Sequence, residues 1–294
     1  MQYSAALTPA PVAMISMKTG AVILITMFFL SAFAHAADSA ESSIMTGKEM
    51  IAQCGYKNAG KDQRSKFTVT LKDAGGNTKK SIYLRLWKDY SGKKQVLDKM
   101  VLFTEFPPDS KGGAFMRTAF VPESKKNADQ WIYLPVLRKI RRVTIRDPGD
   151  RFLNSDLTYQ DVSYRSIDAD EHFYIGMEEV GGVTQYKVES VPHEGDGLYS
   201  RRLFWIEKGN GPEWAQCVVK RISYYDNKGV LLKEQFLDWQ NVDGAWMWKK
   251  VVVKDVQETH ESIFEMDDVE VNNGLSDRVF TKRALKLGVD GINR

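Results

Sequence analysis

The chain has 294 residues and a net charge of +3, with 41 Lys and Arg against 38 Asp and Glu, and only four His and two Cys. Charge this near balance excludes the concentrated basic face that nucleic-acid binding needs, so no nucleic-acid partner is expected. The length suits a leader followed by one large β domain, a type that reaches about 250 residues without splitting.

Lys18 precedes an apolar run from Ala21 to Leu30, and Ala34-His35-Ala36 follows it. A positive flank, a short apolar core and an A-x-A site describe a cleavable secretory signal over residues 1–36, with Met14 and Met17 as alternative starts. The run is shorter than the roughly 18 apolar residues of a membrane span. No later segment is long and apolar enough to cross a membrane. Residues 37–294 are therefore expected to form one soluble periplasmic domain.

Thr46-Gly47-Lys48-Glu49 has capping-box spacing, with Met45 and Met50 placed as a hydrophobic staple. This predicts a short helix from Thr46 to about Gln53. From Lys66 onward the period is two. Phe67, Val69 and Leu71 alternate with Thr68 and Thr70, and Ile82, Leu84 and Leu86 alternate with Tyr83, Arg85 and Trp87. Gly75-Gly76-Asn77 joins these runs as a hairpin.

Further strands are predicted over Lys99–Phe106, Gly113–Val121, Gln130–Leu134, Arg138–Ile145, Phe173–Val180 and Thr184–Val191. After them come Ser200–Lys208, Ala215–Asp226, Val230–Gln240, Trp246–Val256 and Ser262–Val271. Turn chemistry separates them, as in Asn227-Lys228-Gly229 and Asp243-Gly244. The fold class is mainly β, an antiparallel meander long enough to curl. Two short helices are predicted besides, at Ser155–Ser163 capped by Ser155 or Asp156, and at Ser276–Leu285 with Val279, Phe280 and Ala284 inward.

Enzyme signatures are missing. His172, His193 and His260 lie far apart without metal-ligand spacing, so no metal is expected. There is no P-loop or G-x-S-x-G elbow, and no cofactor is implied. Asp156 and Asp161 alone would have to carry a hydrolase reading, which makes it remote. Cys54 and Cys217 lack C-x-x-C spacing; they are compatible with a disulfide, which an oxidising periplasm permits, or with two isolated buried thiols.

A curled sheet with few helices has a concave side that must be filled, either by its own elements or by a ligand. The stock of aromatic and Met side chains favours an apolar ligand cavity. Its candidate wall is Phe115, Trp131, Tyr133, Leu137, Phe152, Leu157, Tyr159 and Trp239. Trp246 and Trp248 share a strand face with Val252 and Val256 if that strand is regular, but Lys250 and Lys254 share it too. Arg138, Arg141 and Arg142 belong to the densest cation cluster. They can receive an anionic head group or dock a partner, since guanidinium forks bind phosphate and carboxylate bidentately. They can equally form a solvated face, or hold the turn that carries Asp156 and Asp161.

The block Asp129-Gln130-Trp131-Ile132-Tyr133-Leu134-Pro135, the basic strand after it, and Phe152 to Asp161 resemble the LolA-like outer-membrane lipoprotein-sorting family, in its RND-exporter-associated branch. Lys111-Gly112-Gly113-Ala114 and Val271-Asn272-Asn273-Gly274-Leu275-Ser276 through Thr281 extend the likeness. Asn154 and Leu157 stand where that family more often has Gly and Phe. The resemblance implies a half-barrel of antiparallel strands with short helices over its concave side. It implies a lipid or lipoprotein acyl chain inside, no catalysis, and a monomer. Its partners would be an inner-membrane RND-type transporter or an outer-membrane acceptor. The alternative is an envelope-stress sensor or transporter accessory that binds a protein and carries nothing.

Overall fold

The computed structural model describes residues 45–143, 147, 149–193, 197–209 and 214–288. The secretory leader and the end of the strand expected to reach Ile145 lie outside these residues. Among the described residues thirteen antiparallel strands form one open, curved sheet. Six run outward from its middle: β1 (Asp62–Lys72), β2 (Thr78–Asp89), β3 (Val96–Phe106), β4 (Ala114–Phe120), β5 (Asp129–Leu134) and β6 (Lys139–Val143). Seven return from the far edge: β7 (Asp170–Val180), β8 (Val183–Pro192), β9 (Arg201–Glu207), β10 (Val218–Tyr225), β11 (Leu231–Val242), β12 (Ala245–Asp255) and β13 (His260–Val271). The spatial order is β6-β5-β4-β3-β2-β1-β13-β12-β11-β10-β9-β8-β7.

Each predicted strand has its counterpart, but the single meander is corrected. The chain makes two meanders that meet where β1 pairs with β13, Phe67 opposite Met266 and Val69 opposite Phe264. Since β6 and β7 are opposite edges, the connection between them has to cross the sheet. It does so on the inner face, burying Phe152 and Leu157 among inward residues of both meanders.

Within this crossover the expected helix at 155–163 does not form. Side chains take the backbone donors a helix would use: Leu157 N–H donates to Ser155 Oγ, and Thr158 N–H and Oγ1 donate to Asp161 Oδ2 at 2.7 and 2.9 Å. Such local bonds compete with helix formation. A tight turn puts Asn154 at φ 60, left-handed backbone that Asn tolerates and Gly prefers.

The N-terminal helix forms with its capping box. Thr46 N–H donates to Glu49 Oε2 at 2.8 Å, and Glu49 N–H donates to Thr46 Oγ1 at 3.3 Å. Helix α1 (Gly47–Met50) runs on as a wider π turn over Ile51–Gly55. Met50, Ile51 and Cys54 are buried in the inner core. Gly47 allows this seat, because a Cβ there would stand 2.7 Å from Tyr174 N on β7.

The expected C-terminal helix is broken in two. A 3-10 turn at Asp277–Val279 is capped by Ser276, and after a break at Phe280 helix α2 (Lys282–Leu287) is capped by Thr281. It also covers the other side of the sheet from the one expected. Val279, Phe280 and Leu285 pack on Leu84, Leu86, Val101, Phe103 and Met116, a second core on the outer face. Strands β2 to β4 are thus buried on both faces.

Candidate functional site

Strand alternation fixes what the inner face carries. Gln63 lies opposite Trp87, Trp87 opposite Met100, Met100 opposite Arg117 and Arg117 opposite Gln130, so these five form one row across β1 to β5. In the next row Arg85 lies opposite Leu102, and Leu102 opposite Phe115. Between this face, the segment after the N-terminal helix and the crossover there is a cavity of about 440 Å³. Phe67, Trp87, Met100, Trp239, Met247, Trp248 and Met266 make its apolar wall. Tyr56 and Tyr164, whose ring centroids are 5.7 Å apart, join the two covers over it.

A bulge shapes the far wall. Asp238 pairs with Lys250 but Trp239 pairs with Trp248, which leaves Lys249 without a partner in the ladder. The extra residue breaks the expected alternation. Trp246, Met247 and Trp248 all line the cavity, while Val251 and Val253, rather than Val252, are buried. Phe236 is turned outward, its ring near the cations of Arg221 and Lys254.

Part of the wall is charged. Arg85 and Arg117 are 9% and 8% exposed, and both line the cavity together with Asp98 and Gln63. Arg85 Nη1 donates to Gln63 Oε1 at 2.7 Å, and Arg117 Nη1 stands 3.8 Å from Asp98 Oδ1. Burial lowers the Arg85 guanidinium to about 10. Burial also pushes the Asp98 carboxyl up, against the pull of Arg117 and Arg85.

The crossover is fastened at three points. Lys233, on β11, donates to Asp161 Oδ2 at 2.6 Å and to the Asp156 carbonyl at 2.7 Å, with its Nζ 5.3 and 5.0 Å from the Tyr199 and Tyr224 ring centroids. Burial raises both phenols, as does the nearby Asp161 carboxylate. Asp156 accepts from Ser262 Oγ and from Arg151, which also binds Glu258. At the crossover's end Asp170 receives Arg165 bidentately, at 2.6 and 2.9 Å, and Arg202 at 2.9 Å.

Burial alone would raise the Asp170 carboxyl, but Arg165 and Arg202 outweigh it and hold it below its ordinary 3.8. A carboxylate held low contributes stability that is complete above its unfolded value and lost as pH falls through the folded one. Asp170→Asn is therefore expected to lower stability at neutral pH and to flatten its decline below about pH 4, as followed by urea unfolding at a series of pH values. Parallel acid limbs for the two proteins would contradict this.

The nominated residues divide. Phe152 and Trp239 stand on the cavity wall. Phe115, Leu157 and Tyr159 belong to the inner core beside it. Trp131 and Tyr133 do not line the cavity: they sit on the outer face against the C-terminal segment, with Lys282 Nζ 3.3 Å from the Trp131 ring centroid. Leu137 is 51% exposed in the β5–β6 turn.

Arg138, Arg141 and Arg142 are exposed, and Arg142 pairs with Asp129. They do not hold the Asp156–Asp161 turn; Arg151, Lys233 and Ser262 do. Cys54 and Cys217 form a disulfide, with Cα atoms 5.1 Å apart. Among the described residues no group of three or more His, Cys, Asp or Glu could hold a metal.

Sequence reasoning missed Arg85, Asp98 and Arg117. Leu84 and Leu86 look like a core face, which assigns Arg85 to solvent. The available signal was Met116-Arg117, one residue for each face of a strand covered on both.

A family model described as "Uncharacterized protein" matches residues 97–287. No curated protein matches the chain significantly. Three solved structures share the fold. A DUF1329 family protein from Desulfovibrio piger is 23% identical, with a TM-score of 0.70 over 81% of this chain and 97% of that one. An outer membrane lipoprotein-sorting protein domain from Vibrio parahaemolyticus is 23% identical, with a TM-score of 0.67 over 82% and 98%. A LolA superfamily protein from Nitrosomonas europaea is 15% identical, with a TM-score of 0.58 over 82% and 100%. The family model covers well over half of the chain, so the chain belongs to that family, and its architecture is the LolA-like fold of these solved structures.

Proposed function

We propose that this protein is a periplasmic carrier that shelters one lipid or lipoprotein acyl chain in its cavity. It passes that chain between the envelope membranes, or to or from an RND-type exporter. The observation that carries this reading is the roughly 440 Å³ left between the sheet and its two covers, walled by Phe67, Met100, Trp239, Met247 and Met266. Apolar transfer drives binding, at about 25 cal/mol for each Å² of hydrocarbon surface removed from water. Release then requires the crossover or the N-terminal helix to move, since a buried chain leaves slowly unaided. The likeness to a lipoprotein-sorting domain and a LolA superfamily protein, together with the leader pattern at residues 18–36, supports a periplasmic site of action. Exposed Arg138 and Arg141 are the candidates for docking a membrane partner.

Met266→Trp narrows the cavity from its wall at an overpacking cost of about 1–3 kcal/mol, so the variant should fold. Uptake of a fluorescent fatty acyl probe is expected to be saturable in the wild type and weaker in this variant. A folded wild type that takes up no probe but holds a protein partner tightly would favour the sensor or accessory reading.

A further inference from the structure

The charged part of the cavity wall stands out in a pocket lined mainly by aromatic and Met side chains. Its lining cations are Lys57, Arg85 and Arg117, and its lining acids are Asp98 and Asp161. Asp161 is already neutralised by Lys233. Lys57 stands apart, over the Trp246 ring at 5.4 Å and bonded to the Ala215 carbonyl. That leaves two nearly buried guanidiniums facing one carboxylate, and the pairing is loose. Among the described residues Asp98 Oδ1 makes no hydrogen bond, Arg117 approaches it only to 3.8 Å and donates instead to Ser163 Oγ at 3.3 Å, and the hydrogen bond from Arg85 Nη1 goes to a neutral amide. Ser65 Oγ, opposite Arg85 in the ladder, and both amide atoms of Gln130, opposite Arg117, are also buried without partners.

A surplus cation in an apolar wall is costly unless an anion meets it, and removing one partner of a buried ion set is strongly unfavourable. Arg85 and Arg117 lie two strands and one row apart, roughly 12 Å between backbones, a gap that two long side chains can close around a small anionic group. Guanidinium forks suit carboxylate and phosphate geometry better than any other side chain. The cavity is at the low end of the roughly 300–1,000 Å³ common for small-molecule pockets, which favours one chain over a multiply acylated anchor. We infer that the cavity takes a single-chain amphiphile whose one anionic head, a carboxylate or a phosphate, sits on Arg85 and Arg117 while its tail lies along Trp87, Met100, Met266 and Trp239.

This inference rests on the carrier reading and names its cargo class. The test uses delipidated protein titrated calorimetrically with hexadecanoate, hexadecyl phosphate and hexadecanol below their aggregation concentrations. Both anions are expected to bind more tightly than the alcohol, and the tighter of the two tells a free fatty acid from a phosphorylated lipid. Arg85→Gln keeps a donor for Gln63 but removes the charge. It is expected to weaken anion binding roughly tenfold to a hundredfold and to leave hexadecanol binding unchanged. Arg117→Gln should reproduce this, and Arg85→Lys should recover part of it. Equal affinity for all three ligands, or equal weakening of all three in both variants, would overturn the anionic-head site and leave the carrier reading standing. Binding of none of them by the wild type would overturn both.

Discussion

Asp161→Ala is expected to lower the unfolding free energy by about 3–5 kcal/mol, the range for breaking one side of a buried ion pair. Both partners are almost wholly enclosed, the side chains of Lys233 and Asp161 being 3% and 1% exposed. Removing the carboxylate strands the Lys233 ammonium among Tyr199, Tyr224 and the Asp156 carbonyl. It also deprives Thr158 N–H, Thr158 Oγ1 and Tyr199 Oη of their acceptor. Urea unfolding measures the loss. Adding Lys233→Met to Asp161→Ala should recover part of it, since the uncompensated charge is then gone. A single variant within about 1 kcal/mol of the wild type would mean that the crossover is held by its apolar residues alone. Because this bond ties the crossover to β11, the same variant should also release a bound lipid faster.

The second large effect concerns the N-terminal cover. Cys54 and Cys217 are fully buried and close a loop with a sequence separation of 163, the π turn after α1 being joined to the residue before β10. Loop entropy for a separation of that size gives about 5 kcal/mol, and loss of a native disulfide usually costs about 2–5 kcal/mol. Cys54→Ser with Cys217→Ser is expected to fall in this range in urea unfolding. Hydrogen exchange should locate the loosening in residues 46–56 before the sheet, since local openings follow the least fastened units. Oxidised and reduced wild-type protein of equal stability would contradict the expectation. Met50, Ile51 and Cys54 are part of the cover over the inner core, so on the proposed carrier function reduction should weaken lipid retention.

The strands were legible because they announce themselves locally. Period-two runs such as Phe67-Val69-Leu71, broken by Gly75-Gly76 or Asp243-Gly244, fix both the element and its turn. The order of strands was not legible, because nothing near Val143 or Asp170 says that these strands are opposite edges rather than neighbours. That single fact makes residues 149–169 the cover of the cavity, and it explains why Phe152 and Leu157 are buried. The assignment of faces failed where both faces of the sheet are covered. Trp131 and Tyr133 looked like a cavity wall because they are aromatic and alternate, but alternation is shared with Phe115 and Ile132 on the inner side, and only the path of the C-terminal segment decides between them. The bulge at Lys249 is equally silent in sequence, since the run Trp246 to Val253 reads as regular. The charged wall was hidden for the same reason as Trp131: an Arg between two Leu reads as solvent-facing until something is found to cover it.

The most direct measurement is a native mass spectrum of the protein purified without detergent. The expected result is a species carrying one bound lipid, stripped by delipidation and depleted in Met266→Trp. Wild-type protein that is empty when isolated, and stays empty when offered long-chain lipids, would contradict the claim that the hollow beneath the crossover is a place for cargo.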